Sequence, residues 1–338
     1  MACTCGKTNT ATTISTVKTN SITTISAVHP DIIQTHILTC LDGPSLASAA
    51  STCSQLHALS GKDHLWANIC HSTWPSTITP RVRHVISTFP CASRSFFADS
   101  FPAATATAQN SHHANPDRTP ELIFSVDLFH RRKLILSRVL ETETESGWFR
   151  CSPFRVDLLD PKDTVKTGME YPRDEDVCRN VFEDLTLSWI VIDPRGRRAV
   201  NLSSRKPVSV QRHWLSGEVQ VRFATVMGGG ERGSASEMAL CNLMVTCGGE
   251  MQVREVSLQM EDMDGMHLNG RDSLGILQRA LEGKRGRLKR EEKNGYVEFL
   301  NMKKERKERK LRDERRLDML CIALAALSFL ALSHFFLF

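Results

Sequence analysis

From His29 to about residue 90, apolar positions recur at helical spacing, with Leu, Ile and Ala set among His and small polar residues. Pro30 suits the start of a helix, because the N–H it lacks would go unpaired there. Ile33, Ile37 and Leu41 then fall every four residues with Leu38 beside them, which makes one apolar stripe. Asp42-Gly43-Pro44-Ser45 stops this helix and offers Ser45 as N-cap of a second, on which Leu46, Ala49, Ala50 and Cys53 share a face. Leu56 and Leu59 follow, and Asp63 can cap a third helix that turns Leu65, Trp66 and Ile69 inward.

Residues 103 to 120 are small, polar and punctuated by Pro, with no periodicity, as in a linker. From Glu121 to Glu261 the period changes to two, in the runs LIFSVDLF, KLILSRVL, WFRCSPFRVDLL, LTLSWIVID, RAVNLS, EVQVRFATVM, MALCNLMVTC and MQVREVSLQM. No helix of crossover length separates these strands, so they predict an antiparallel sandwich or barrel. The clearest hairpin is Leu185 to Asp193, turning through Pro194-Arg195-Gly196-Arg197 into Arg198 to Ser203. Asp272 to Glu282 reads as one packing helix, with Asp272 as N-cap and Leu274, Ile276, Leu277 and Leu281 facing inward.

The end of the chain changes texture again. Lys284 to Arg316 holds fifteen Lys/Arg against seven acids, and opposite charges four apart, such as Glu305 and Arg309, favour a helical arm. Met319 to Phe338 then carries no charge over twenty residues, with Ser328, Ser333 and His334 as its polar interruptions. At ~1.5 Å per residue this segment spans about 30 Å, the thickness of a hydrocarbon core. Met319, Leu320, Ile322, Leu324, Leu327, Phe329, Leu330 and Phe338 would form the membrane anchor. Arg309, Lys310, Arg312, Arg315 and Arg316 just before it would hold the bulk of the chain in the cytosol. The expectation is a tail-anchored, single-pass protein of the endoplasmic reticulum or another endomembrane, the alternative being a buried core helix or a sticky oligomerisation helix. The acids within the basic arm favour anionic lipid headgroups over nucleic acid as its partner.

Composition narrows the classes. An apolar fraction of 41% excludes a wholly disordered chain, and the net charge of +5 is small and local to the arm. Residues 1 to 28 form a Thr/Ser-rich leader expected to be disordered; it lacks an apolar secretory core and fits a chloroplast transit peptide only loosely, since it has no Arg. Eleven scattered cysteines with no CxxC pair suggest reduced thiols rather than a metal or disulfide framework, although Cys3 and Cys5 offer sites for acylation.

The segment HPDIIQTHILTCLDGPSLASAASTCSQLHALSGKDHLWANIC, His29 to Cys70, resembles the F-box family in its spacing. His29 stands where Leu usually precedes the Pro, and Leu56 where a Trp is usual after the Cys. Three helices of about forty residues expose too much apolar surface to close a core alone, so a partner is implied. The resemblance makes that partner a Skp-type adaptor, and through it a cullin and RING subunit, with Pro30, Ile33, Ile37, Leu38, Leu41 and Leu46 in contact. Cys53, Leu56, Leu59, Leu65 and Trp66 would then be the F-box core. A generic three-helix core with no partner is the alternative. Glu121 to about Glu282, with its GWFRCSPFRVDLLDP, LTLSWIVIDP and GEVQVRFATV segments, is similar to the C-terminal region of a plant F-box subfamily and distantly similar to phloem-lectin sandwiches.

The implied architecture is an α+β multidomain chain: a leader (1–28), an F-box unit with its extension (29–90), a linker (103–120), a β-sandwich-like recognition domain (121–282), a basic helical arm (283–318) and a transmembrane helix (319–338). The implied function is that of the substrate-recognition subunit of a membrane-tethered SCF-type ubiquitin ligase, which binds a client protein. The rival from another class is a membrane-anchored lectin-like or scaffold protein with no ligase, and a hydrolase assembled from distant residues is a second. Catalytic residues, metal ligands and cofactors are not expected: the Gly-rich stretch Met227 to Gly233 lacks the Lys-Ser/Thr ending of a phosphate loop, and the β-region shows no nucleophile–base set. Cytosolic topology would leave the Asn201-Leu-Ser sequon unglycosylated. Among Trp148, Trp189 and Trp214, the last sits beside a cation and an imidazole, so Arg212, His213 and Trp214 form the candidate client-binding loop.

Overall fold

The computed structural model of the chain describes residues 28–101, 119–169, 182–228, 237–283 and 292–337. Most of the leader and linker, the Gly-rich residues 229–233 and Phe338 lie outside the described residues. The chain divides into two compact units between Leu65 and Trp66.

In the first unit, α1 opens at Pro30–Ile32, widens into a π turn over Ile33–Ile37 and tightens to a 3₁₀ turn over Leu38–Cys40. The π turn resets the spacing from four residues to five. Ile33 and Leu38 point inward and are buried, while Ile32 and Ile37 point out. The expected stripe of Ile33, Ile37 and Leu41 is therefore split, with Leu41 half-buried. Helix α2 (Gly43–Ala50) is capped by Asp42 rather than Ser45: its carboxylate accepts from the Ser45 N–H at 2.9 Å. The hydroxyl and amide of Ser45 hold that carboxyl below its usual range. Cys53, placed in the core by spacing, is exposed; its sulfur accepts from the Leu56 N–H at 3.5 Å and caps α3 (Ser54–Ser60). Leu46, Leu56 and Leu65 are buried and Leu59 half-buried.

Helix α4 (Asp63–Thr73) carries the chain into the second unit, where a 3₁₀ turn (Pro75–Ile78), α5 (Pro80–Ser87) and α6 (Ala92–Ser100) follow. An aromatic cluster joins them. Trp66 lies 5.5 Å from Phe97, and Trp74 lies 5.4 Å from Phe97 and 5.8 Å from Phe96, measured between ring centroids. Such pairs add to plain area burial.

Among the described residues ten strands follow: β1 (Glu121–His130), β2 (Lys133–Glu143), β3 (Arg155–Asp157), β4 (Val165–Lys166), β5 (Leu185–Asp193), β6 (Arg198–Asn201), β7 (Ser209–Arg212), β8 (Val219–Gly228), β9 (Met238–Cys247) and β10 (Gln252–Glu261). They make an antiparallel four-stranded sheet, β2-β1-β5-β6, and a six-stranded one, β3-β10-β9-β8-β7, with β4 also on β10. Alternate residues of both sheets, including Leu122, Phe124, Trp189, Phe223, Leu243 and Leu258, fill one shared core. The run WFRCSPFRVDLL is not one strand: Gly147–Cys151 forms the short helix α7 before β3. Helix α8 (Gly270–Glu282) adds Leu274, Ile276, Leu277 and Leu281 to the core and is capped by Asn269, not Asp272. A β-carbon at Gly270 would come within 2.0 Å of the Phe149 carbonyl oxygen, so only glycine lets α8 start against α7.

The outer face of the four-stranded sheet is buried as well. Ile123, Ile190 and Ile192 are fully covered, and the Asp99 carboxylate on α6 accepts from Arg198 Nε (2.8 Å) and the Ala199 N–H (3.2 Å). Residues 66–101 thus fall in the same compact unit as the sheets, which divides the stretch 29–90 that helical spacing had read as one unit. Asp127 anchors this layer: its buried carboxylate accepts from the Ser76 N–H at 2.9 Å and from the Ser76 hydroxyl. Burial pushes the Asp127 carboxyl above its usual range, against hydrogen bonds from Ser76 and Ser137.

Between the ordinary carboxylate pKa and that raised value, the native state binds more protons than the unfolded state. This group's contribution therefore falls as pH rises through the interval. Asp127→Asn should flatten that part of the profile in urea unfolding across the acid range. Asp127→Ala should cost about 1–3 kcal/mol, because it strands the buried Ser76 N–H while the Ser76 hydroxyl keeps Ser125 as a partner. An unchanged midpoint in Asp127→Ala would show that the layer is held by packing alone.

The last helix, Glu292–Leu337, runs for 46 residues without a break. Tyr296 and Phe299 pack on Ala224, Val226, Leu240 and Met263, covering the outer face of the six-stranded sheet. Arg306 Nε and Lys310 Nζ reach the Asp264 carboxylate at 3.0 and 2.7 Å, and these cations, Lys310 foremost, depress its pKa. From Glu292 onward the basic arm and the apolar end are thus one helix, while residues 284–291 of the arm lie outside the described residues.

Candidate functional site

Three exposed features stand apart from the packed core. The first is the outward side of α1. Ile32 is 50% and Ile37 40% exposed, five residues apart across the π turn, with exposed Pro30 at the start of the same helix. Single exposed apolar residues are ordinary. Two isoleucines brought to one side by an uncommon helical turn are a more specific feature, since such turns concentrate at functional sites. Of the residues expected at an adaptor surface, Pro30 and Ile37 are outside, Leu41 is half-buried, and Ile33, Leu38 and Leu46 belong to the interior. Ile32, which spacing alone did not single out, joins the exposed set.

The second feature is the turn from β7 to β8. The sequence placed Arg212, His213 and Trp214 between strands; the structure makes Arg212 the last residue of the edge strand β7 and puts His213 and Trp214 in the turn. The His213 N–H donates to the Glu218 carbonyl at 2.7 Å and the Gly217 N–H to the His213 carbonyl at 2.9 Å, which closes the turn. His213 Nδ1 accepts from the Ser216 N–H at 3.1 Å, so its lone pair serves the turn rather than a reacting group. The rings of His213 and Trp214 stack at 6.5 Å. Trp214 is 88% exposed and Leu215 beside it is exposed, a large apolar tip on a hydrogen-bonded base. Trp189, by contrast, is core, and Trp148 projects from α7.

The third is the apolar end of the last helix. Its hydropathy suits a membrane span, and none of its most apolar window is buried against the protein. Met319, Leu320, Ile322, Leu324, Leu327, Phe329 and Leu330 are all exposed.

A cleft of about 540 Å³ is lined by Thr119, Asp193, Arg195, Gly196, Arg198 and Gln278, among others. Its polar groups are largely engaged by the fold. Asp193 accepts from the N–H groups of Arg195 and Gly196, Gln278 Nε2 donates to Thr119, and Arg198 pairs with Asp99. Among the described residues no cluster of His, Cys, Asp and Glu is arranged to hold a metal ion.

The described residues thus make a small helical module with an outward apolar side, followed by a sandwich with an exposed aromatic turn. An F-box-like family model matches residues 30–72, the stretch from α1 into α4. Over 314 residues the chain is 49% identical to a probable F-box protein of Arabidopsis thaliana, covering 91% of this chain and 92% of that one. Two further Arabidopsis thaliana F-box proteins are 44% identical over 330 residues (91% and 95% covered) and 43% identical over 296 residues (83% and 81%). No solved structure matches the chain. The chain belongs to the F-box protein family, whose members typically bind Skp-type adaptors and recognise substrates for SCF-type ubiquitin ligases.

Proposed function

We propose that this protein is a non-catalytic client receptor of an SCF-type ligase, tethered to a membrane by its last helix with the bulk of the chain in the cytosol. The observation that carries this reading is the F-box unit with Pro30, Ile32 and Ile37 exposed around the π turn, where an adaptor would cover them. The client would dock at the β7–β8 turn, with Trp214 and Leu215 as apolar anchors and Arg212 beside them. Large aromatic residues on a rigid base are frequent hot spots of binding. Ubiquitin transfer would then follow from proximity, the bound client lysines being held near the charged conjugating enzyme.

Affinity capture of the full chain tests both halves of this reading. Wild type should co-purify a Skp-type adaptor and a cullin. Trp214→Ala with Leu215→Ala should lose about tenfold or more of any client while adaptor recovery stays unchanged, because truncating such anchors typically costs 2 kcal/mol or more. Clients retained at wild-type levels would move the docking site elsewhere on the sandwich. Absence of adaptor from the wild-type capture would favour a membrane-anchored scaffold instead.

A further inference from the structure

The end of the sandwich next to the apolar helix carries two exposed large residues that neither the core nor the client turn uses. Met266 is 67% and Trp148 80% exposed. Strand register places them. Val219 of β8 pairs with Cys247 and Gly228 with Met238, while Glu261 of β10 pairs with Leu240. The turn after β10 therefore lies at the end opposite the Trp214 turn. The Asp262 N–H donates to the Met266 carbonyl at 3.0 Å, so the turn is tight, and its Asp264 is the carboxylate that holds Arg306 and Lys310. Trp148 joins the same end, because the neighbouring Phe149 carbonyl backs onto Gly270 and the Gly270 N–H donates to the Ser152 carbonyl at 3.0 Å.

The last helix fixes the distance of this end from the span. Met319 lies nine positions after Lys310, about 13 Å of helix at ~1.5 Å per residue. Headgroup layers add about 5–8 Å outside the hydrocarbon on each side, and spans tilt by about 20° on average. A sandwich clamped at Lys310 is thus held within reach of the headgroups. In the membrane-tethered reading this end would face them with matching chemistry: a tryptophan, a flexible apolar methionine, and the exposed Arg309, Arg312, Arg315 and Arg316 of the adjoining helix.

Building on the membrane-tethered reading, we propose that this end of the sandwich is a second, peripheral contact with the bilayer, in which Trp148 and Met266 rest in the headgroup layer of an anionic membrane. Tryptophan suits that layer because its ring is apolar and its N–H can still meet water or phosphate.

The test uses the full chain in phosphatidylcholine–phosphatidylserine vesicles containing a headgroup-spin-labelled lipid. Trp66, Trp74 and Trp189 are buried, so Trp214→Phe leaves Trp148 as the exposed emitter and Trp148→Phe leaves Trp214. Both changed positions are exposed surface, so folding should be unaffected. The spin label should quench the Trp214→Phe protein at least twofold more than the Trp148→Phe protein. Equal quenching in two variants that both float with the vesicles would overturn the contact and leave the anchor standing. Failure of the unaltered chain to float would remove the anchor and this contact together.

Discussion

Replacing Ile32 and Ile37 together with Asp should abolish capture of the Skp-type adaptor. Each isoleucine would contribute about 1.5–3 kcal/mol if fully buried in an interface, and each aspartate would add an unpaired carboxylate to an apolar contact. Together the two changes should weaken binding by a thousandfold or more, since every 1.4 kcal/mol is a factor of ten. The choice of positions follows from the π turn. Ile33 and Leu38 are buried, so Asp at either would unfold the first unit and blur the result, whereas Ile32 and Ile37 already face outward. Circular dichroism should match wild type while pull-down of adaptor and cullin disappears. Adaptor recovered at wild-type levels from the double variant would show that the outward side of α1 is not the docking surface.

Removing Met319 to Phe338 should shift the protein from the membrane pellet to the soluble fraction. None of the apolar window is buried, and the contacts that dock the helix, Tyr296 to Lys310, all precede the cut. The deletion should therefore keep its melting temperature. The basic collar left behind cannot substitute, because it contributes only about 1 kcal/mol per Lys or Arg near an anionic surface and is screened by salt. Leu327→Arg with Leu330→Arg should act in the same direction, each charge costing about 2.5–3.5 kcal/mol at mid-span. Extraction of the intact protein by carbonate or high salt would end the span reading.

The change from helical to alternating periodicity, the β5–β6 hairpin and the long apolar end were all legible in the sequence, because each rests on a local pattern. The π turn was not: Ile33, Ile37 and Leu41 satisfy a four-residue repeat, and only the backbone bonds show that Leu38 takes the inward place of Ile37. Caps misled for a related reason. Asp42 and Ser45, or Asn269 and Asp272, can each begin a helix, and what decides is the residue whose backbone is still extended, with ψ of 169° at both Asp42 and Asn269. The two-sided burial of β1 and β5 did leave a signal, since LTLSWIVID is apolar nearly throughout where a strand open to water on one face would alternate. The partner layer could not be read from it, because the helices that supply it look, in sequence, like a continuation of the first unit. The docking of Tyr296 and Phe299 was hidden within a segment dominated by charge.

If the chain is a tethered receptor as proposed, its unbroken last helix bears on which clients it could reach. A flexible tether would let a receptor sample a wide hemisphere, but a helix with no Gly or Pro between Lys310 and Leu337, clamped to the sandwich at Asp264, acts as a stiff post. Strands of ten residues rise about 34 Å, and the Trp214 turn lies at the far end of them. In the tethered reading the protein is then a ruler standing on its membrane. It would select clients by the height at which they display their recognition segment, favouring residents of the same bilayer with motifs a few tens of ångströms above the lipid over freely diffusing proteins.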